Sequence, residues 1–337
     1  MHIYIQAQSK EKNIGLQIFR MILCFWVVLL HCLKKFNRIL IKYIFEKKFH
    51  VPSFFFISFF YFYPIIKERN SFKMKSRLER LFIPFIIWPT FIWVFNNLFH
   101  LFFKTSLYGR KLTFKELLIQ LIIGRKFFGH FWYLFNLILL SIVFFIFSFL
   151  RDYIFLIFMN LVQIMCFILQ HNKYIYIFFA DYHGCVTYSV GHFISSFPIA
   201  ISALTFNKSN IIQYLEIHMY KSLFIIFSIL PIIFIYGLPN TYEGVDKILF
   251  SCFAFFGFHL LPFNKYLHRY MKNIIYIITN FTNGIYCLHT MIYLFLKIEF
   301  KCCFSLYHCI LIYIICYIIS FLGAKVFVHN KMKYLFF

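Results

Sequence analysis

Acidic side chains are scarce in this chain: Asp and Glu total 11 of 337 residues, against 34 Lys and Arg. Charged residues of both signs reach only 13%, about half of what a soluble domain of ordinary composition carries. That shortage excludes a water-filled surface and with it a conventional soluble enzyme. Glycine and proline are thin too, at 11 and 8 residues. None gathers into a linker, which excludes a string of tethered domains. The ten cysteines form no CxxC and no Cys/His set at zinc-ligand spacing. Cys24, Cys166, Cys252 and Cys316 fall inside apolar runs, where the thiol acts as a small hydrophobe. No metal site is expected. Segments of about ten residues with alternating polarity, the mark of a membrane barrel, are absent as well.

What is present is apolar. Hydrophobic residues make up 62% and aromatics 24% of the chain, and the mean hydropathy is +0.77. The apolar residues come in runs of roughly 17–25, the length a helix needs to cross a hydrocarbon layer of about 30 Å. Backbone polar groups cannot stay unpaired in lipid, so such runs must be helices. The expected fold is therefore all-α, a polytopic transmembrane bundle of about ten spans in one domain, 1–337. The spans run roughly over 16–34, 51–66, 82–103, 129–150, 153–170, 186–206, 222–238, 246–262, 273–296 and 303–328. Pro52, Pro84, Gly129, Pro239 and Gly284 stand at or near their ends. Polar residues 1–15 precede the first span, and no short apolar region with a small-residue cleavage site follows them, so that span is read as retained.

The net charge of +23 does not call for nucleic acid. Its basic residues lie in short loops, where each contributes about 1 kcal/mol against anionic headgroups, so membrane lipids are the expected partners. Ten spans place both termini on one side. Lys and Arg divide almost evenly between alternate loops, with six basic residues in 67–80 and six in 34–48. The 67–80 cluster sets the expectation of cytoplasmic termini in the cell membrane.

Three constellations can carry chemistry. In the first span, Arg20 and His31 are eleven residues apart, three helical turns plus about 20°, so both project from one face at axial positions about 16 Å apart. Ionisable residues inside a span are functional candidates by default; the pair can anchor an anionic donor at one depth and set an imidazole at another. Arg77 and Arg80 are neighbours on a helical turn just before Pro84, which suits the first turn of a helix. Guanidinium groups beside a helix N-terminus form a phosphate site, although a plain basic loop looks much the same. In the ninth span, Tyr286 and His289 share a face and offer a second imidazole beside a phenol. Ser58, and Trp132 with Asn136 one turn on, are weaker signals. His130, His192 and His259 are also available.

Taken in order, these pieces resemble the membrane acyltransferase-3 family, which O-acylates polysaccharides and related acceptors. Arg20-x10-His31 is similar to its first-span pattern, and Val51-Pro52-Ser53-Phe54-Phe55-Phe56-Ile57-Ser58 to the opening of its second span. Arg77-x2-Arg80 leading into Leu81-Phe82-Ile83-Pro84 resembles its basic loop. Phe131-Trp132-Tyr133-Leu134 resembles its tryptophan signature, and Gly284-Ile285-Tyr286-x2-His289 its late Tyr/His signature. The match runs over about 14–328. Two departures stand out: Phe59 follows Ser58 where the family often has Gly, and Leu30 and Cys32 flank His31 where many members carry a polar or acidic residue.

The resemblance implies transfer of an acyl group, most simply acetyl, from acyl-CoA to a hydroxyl of a carbohydrate or lipid-linked sugar. His31 is the expected general base and Arg20 the stabiliser of donor charge. Arg77 and Arg80 are expected to hold the CoA phosphates, and Ser58, Trp132, Tyr286 and His289 to face the substrates. Acyl-CoA is then a donor substrate, with no bound cofactor. A transporter or flippase for lipid-linked saccharides is the alternative, favoured by Pro- or Gly-broken spans in matched halves, a pairing the sequence lacks. A polysaccharide polymerase would want larger loops than the longest here, about 25 residues.

Overall fold

The computed structural model describes residues 13–32, 49–103, 110–124, 131–171, 185–209, 211–235, 243–300, 306–327 and 334–335. The basic segment 34–48 and His130, Gly129 and Pro239 lie outside them. Among the described residues helix dominates and no strand occurs. The fold is all-α.

The chain opens with α1 (Ile14–Cys32), followed by α2 (His50–Phe60), α3 (Tyr63–Lys67), α4 (Ser71–Phe103) and α5 (Phe114–Ile123). Next come α6 (Trp132–Phe147), α7 (Asp152–His171), α8 (Cys185–Lys208), α9 (Ile211–Ile217) and α10 (Met219–Ile235). The last are α11 (Glu243–Leu260), α12 (Phe263–Tyr266), α13 (Arg269–Asn280), α14 (Thr282–Phe300) and α15 (Leu306–Val326). Four described stretches are long and apolar enough to cross a membrane: Ile14–His31, Ser71–Phe103, Val245–Tyr266 and Tyr307–Val326. Trp132–Phe147 and Met219–Leu230 are shorter apolar helices.

Lipid tails are as apolar as the side chains, so packing contacts rather than escape from water hold such helices together. The first helix shows the pattern. Leu16, Phe19, Leu23 and Val27 recur three or four residues apart and are buried, the spacing of one helical face. That face packs against α2, α11, α13, α14 and α15. The second helix is buried nearly all round: Phe55, Phe56 and Phe59 are fully enclosed, with α1, α8 and α11 packed on the helix and α6 rings against Phe55 and Phe59. These two helices form the centre of the bundle.

Three sequence expectations are corrected. The second span is not continuous over 51–66; α2 stops at Phe60 and α3 restarts at Tyr63. Pro64 explains the break, because its ring would clash with the Phe60 carbonyl in a continuous helix, whereas a position in the first turn of α3 is free of that clash. The stretch 67–81 is not a loop, since α4 begins at Ser71. Asn70 caps it, its Oδ1 accepting from the Lys73 amide at 2.9 Å. Pro84 and Pro89 therefore lie inside a helix rather than opening one, which membrane helices tolerate when neighbours re-satisfy the freed backbone. The ninth span is two helices, α13 and α14, parted at Phe281. Here Thr side chains compete for the backbone: Thr279 Oγ1 donates to the Ile275 carbonyl (2.9 Å) and Thr282 Oγ1 to the Thr279 carbonyl (3.0 Å).

Candidate active site

The first and fourteenth helices pack side by side and run in the same direction. At one end the Arg20 guanidinium donates to Thr282 Oγ1 at 3.0 Å and to Gln17 Oε1 at 3.3 Å. Cys24 Sγ reaches the Thr282 carbonyl at 3.6 Å. Further along both helices, the His31 and His289 rings meet with centroids 4.9 Å apart, tilted by 53°. The shared face expected for Arg20 and His31 thus lies along α14. The break at Phe281 matters here, because it puts Thr282 at the head of α14 and within reach of Arg20.

His289 is fully buried, and His31 is half-buried. His289 Nδ1 lies 2.7 Å from the Tyr286 carbonyl and 3.3 Å from that of Ile285. A carbonyl only accepts, so Nδ1 carries the hydrogen and the neutral ring keeps its lone pair at Nε2. From this imidazole pair a line of rings continues inward. Tyr286 is 5.9 Å from His289, and Tyr133 meets Tyr286 edge-on at 5.3 Å. Tyr133 in turn lies within electrostatic reach of both Arg20 and Arg77.

Arg77 projects from the second turn of α4 into the bundle. Its Nη2 donates to Ser58 Oγ (2.8 Å) and its Nε to Ser141 Oγ (3.0 Å), while its guanidinium stacks over Phe62 at 4.4 Å. One side chain therefore joins α2, α4 and α6. Arg80 does not join it. Arg80 is exposed, and its Nε turns back to the Ser76 carbonyl at 3.2 Å. Neither Arg sits beside the N-terminus of α4, so the helix-end phosphate site expected from Pro84 is not formed. Trp132 stacks on His192 with centroids 3.8 Å apart, one residue from Tyr133.

The structure thus gathers His31, His289, Tyr286 and Tyr133 in one line of rings, with Arg20 on the same seam as the histidines. Ser58 serves Arg77. Sequence reasoning missed Tyr133, Ser141 and Thr282. Tyr133 stood inside the quoted Phe131-Trp132-Tyr133-Leu134 run, and its hydroxyl was the available signal. A feature unites the two half-buried guanidiniums: their hydrogen-bond partners are neutral oxygens, and among the described residues no carboxylate pairs with Arg20 or Arg77.

A second polar cluster stands outside the spans, at the start of α5. The Arg110 guanidinium donates to both Glu116 carboxylate oxygens, and Thr113 and Glu116 form a reciprocal capping box. The hydrogen bond from Arg110 is the main reason the Glu116 carboxyl falls to about 2. Among the described residues no group of three His, Cys, Asp or Glu is placed to hold a metal ion.

A model of acyltransferase family 3, described as an acyltransferase domain, matches residues 13–329, from the foot of α1 to just beyond α15. The chain belongs to acyltransferase family 3. No curated protein and no solved structure matches it. Membership makes this an integral membrane acyltransferase, and the family match encloses every residue of the α1–α14 seam.

Proposed function

We propose that the protein transfers an acyl group, most simply acetyl, from acyl-CoA to a hydroxyl of a carbohydrate or lipid-linked sugar. One observation carries this reading. Two half-buried guanidiniums, bonded among the described residues to neutral oxygens, stand near a line of two phenols that ends at an imidazole pair. A guanidinium drawn partly out of water without a counter-charge loses solvation that nothing repays, so Arg20 and Arg77 are suited to an anionic substrate. CoA is such a substrate.

In the proposed reaction His31 acts as general base, because it is the more exposed imidazole and a hydroxyl can reach it. It takes the hydroxyl proton as the oxygen attacks the thioester carbonyl. The tetrahedral adduct collapses, the C–S bond breaks, and the leaving thiolate takes the proton back from the imidazolium. His289, held through Nδ1, and Tyr286 orient the acceptor against His31. Arg20 steadies charge on the donor side. Arg77, inside the bundle, and Arg80, on its surface, line the path of the CoA moiety at the cytoplasmic face. Trp132 and Ser58 shape and brace that path. The reading includes ten spans in the cell membrane, with both termini and the 67–80 stretch cytoplasmic. Reporter fusions at residue 337 and within 67–80 check this orientation, and an external signal from either site overturns it.

The reaction is tested with membranes containing the protein, supplied with acetyl-CoA and a panel of glycans. Release of free CoA thiol that depends on both substrates, with acyl incorporated into the glycan, is the expected result. Thiol release without any acceptor dependence, or none at all with any acyl-CoA, sinks the proposal.

A further inference from the structure

A cavity of about 490 Å³ opens between α8, α9, α10 and α11. Its depth is apolar: Phe206, Ile226, Leu249, Cys252, Phe253 and Phe256 line it. Its mouth is not. His218 and Lys221 are exposed there, and the buried Ser222 faces the same space. The acidic residue of α9, Glu216, turns instead to His259 Nε2 at 3.4 Å. Among the described residues Lys221 has no ion-pair partner.

We propose that this cavity is a binding site for an anionic phospholipid, one acyl chain entering the apolar depth and the phosphate resting on Lys221. The geometry fits an amphiphile and nothing fully polar. A saturated chain needs a continuous apolar sleeve, which Phe206 of α8, Ile226 of α10 and Leu249, Phe253 and Phe256 of α11 supply. The headgroup needs a cation where that sleeve meets water, and Lys221 stands in the first turn of α10 at that level. Ser222 adds a hydroxyl donor beside it. A basic side chain next to the bilayer surface attracts anionic headgroups by about 1 kcal/mol, and the enclosed chain adds the selectivity that a loose surface lysine lacks.

The site has a structural reach. Phe206 and Phe256 pack together at 5.6 Å and both meet Phe56 of α2, at 6.2 and 6.3 Å. The next residue, Phe55, meets Tyr133 edge-on at 4.8 Å. A lipid in the cavity therefore supports the face of α2 adjacent to the one that meets Tyr133.

The test uses the full chain released from bilayers of equal phosphatidylglycerol and phosphatidylcholine, with retained lipid measured by native mass spectrometry. The expected result is one phosphatidylglycerol per chain, retained at least tenfold over phosphatidylcholine. Lys221→Glu should abolish that preference, whereas Lys265→Glu, a charge-matched change at exposed α12, should not. Ile226→Trp, which fills the cavity, should remove the retained lipid altogether. Because Ile226→Trp can perturb packing, Lys221→Glu is the deciding variant. Equal retention of both lipids, no retained lipid, or equal losses from Lys221→Glu and Lys265→Glu overturns the proposal.

Discussion

The cluster at the start of α5 and the seam between α1 and α14 are both built from charges and hydroxyls, yet they close differently. At α5 the Arg110 guanidinium meets a carboxylate, both Glu116 oxygens are engaged, and the capping box ties the helix end down. The charges of Arg110 and Glu116 cancel. Among the described residues Arg20 bonds along the seam to Thr282 and Gln17, and across the bundle Arg77 bonds to Ser58 and Ser141, all neutral partners. The first arrangement is complete in itself and stabilises structure. The second leaves, among the described residues, two half-buried positive charges without a carboxylate, the kind of ionisable group that is a functional candidate inside a membrane protein. A polar cluster inside a membrane protein is thus read by whether its charges cancel.

The comparison breaks most readily at His31. His31→Ala should reduce acyl incorporation by about 10²–10⁴-fold, the usual contribution of a positioned base. Incorporation is measured in membranes at matched protein levels, and near-normal activity sinks the assignment. His289→Ala should be less damaging; if it alone abolishes activity, the base lies on α14. The next effect concerns the guanidiniums. Arg77→Ala should raise the acyl-CoA KM tenfold or more, since each charge-assisted bond it loses is worth roughly 1.5–3 kcal/mol. Arg80→Ala, on the exposed face, should raise it less, and Arg77→Lys should rescue only part because a fork becomes a point charge. Equal KM effects at 77 and 80 would show that their different burial is irrelevant to the donor.

At the complete cluster the expectation is reversed: stability moves and chemistry does not. Thr113→Ala should lower thermal stability by about 0.5–2 kcal/mol, the range for a lost helix cap, with acyl-CoA KM unchanged. A KM shift would bring this cluster into the site. The smallest effect is acid sensitivity. The Glu116 carboxyl is depressed to about 2 by its bond from Arg110, so its contribution is present above the ordinary carboxylate range near 4.3 and fades as pH falls through about 2. Unfolding of the protein in bilayer discs should show that decline between about pH 4.3 and 2. Glu116→Gln should flatten it.

Much of this was legible from the chain. Period and length identified the helices because lipid forces every apolar run of this size into one, and the eleven-residue spacing of Arg20 and His31 placed both along the seam. The breaks were less visible. Pro64 and the Thr279–Thr282 hydroxyls interrupt runs whose hydropathy never falters, and hydropathy was the signal in use. Arg77 and Arg80 looked equivalent because neighbours on a turn share a side of the helix in projection. Their fates diverge because Ser58 and Ser141, 19 residues before Arg77 and 64 after it, receive one and not the other. Tyr133 was hidden by its neighbour: the tryptophan of the motif drew attention, while the phenol beside it faces Tyr286. Tertiary partners of this kind leave no local trace.

The hydrogen bond from Arg20 to Thr282 spans 262 residues of sequence. At synthesis rates of about 5–20 residues per second, the first helix enters the bilayer roughly 13 to 52 seconds before its partner exists. During that interval Arg20 must be held by Gln17, by headgroups or by an insertion factor. The seam can therefore close only after nearly all of the bundle has been made. A chain stalled anywhere before α14 would carry a membrane-embedded cation with no permanent partner, a recognisable mark for the quality control that removes unfinished membrane proteins.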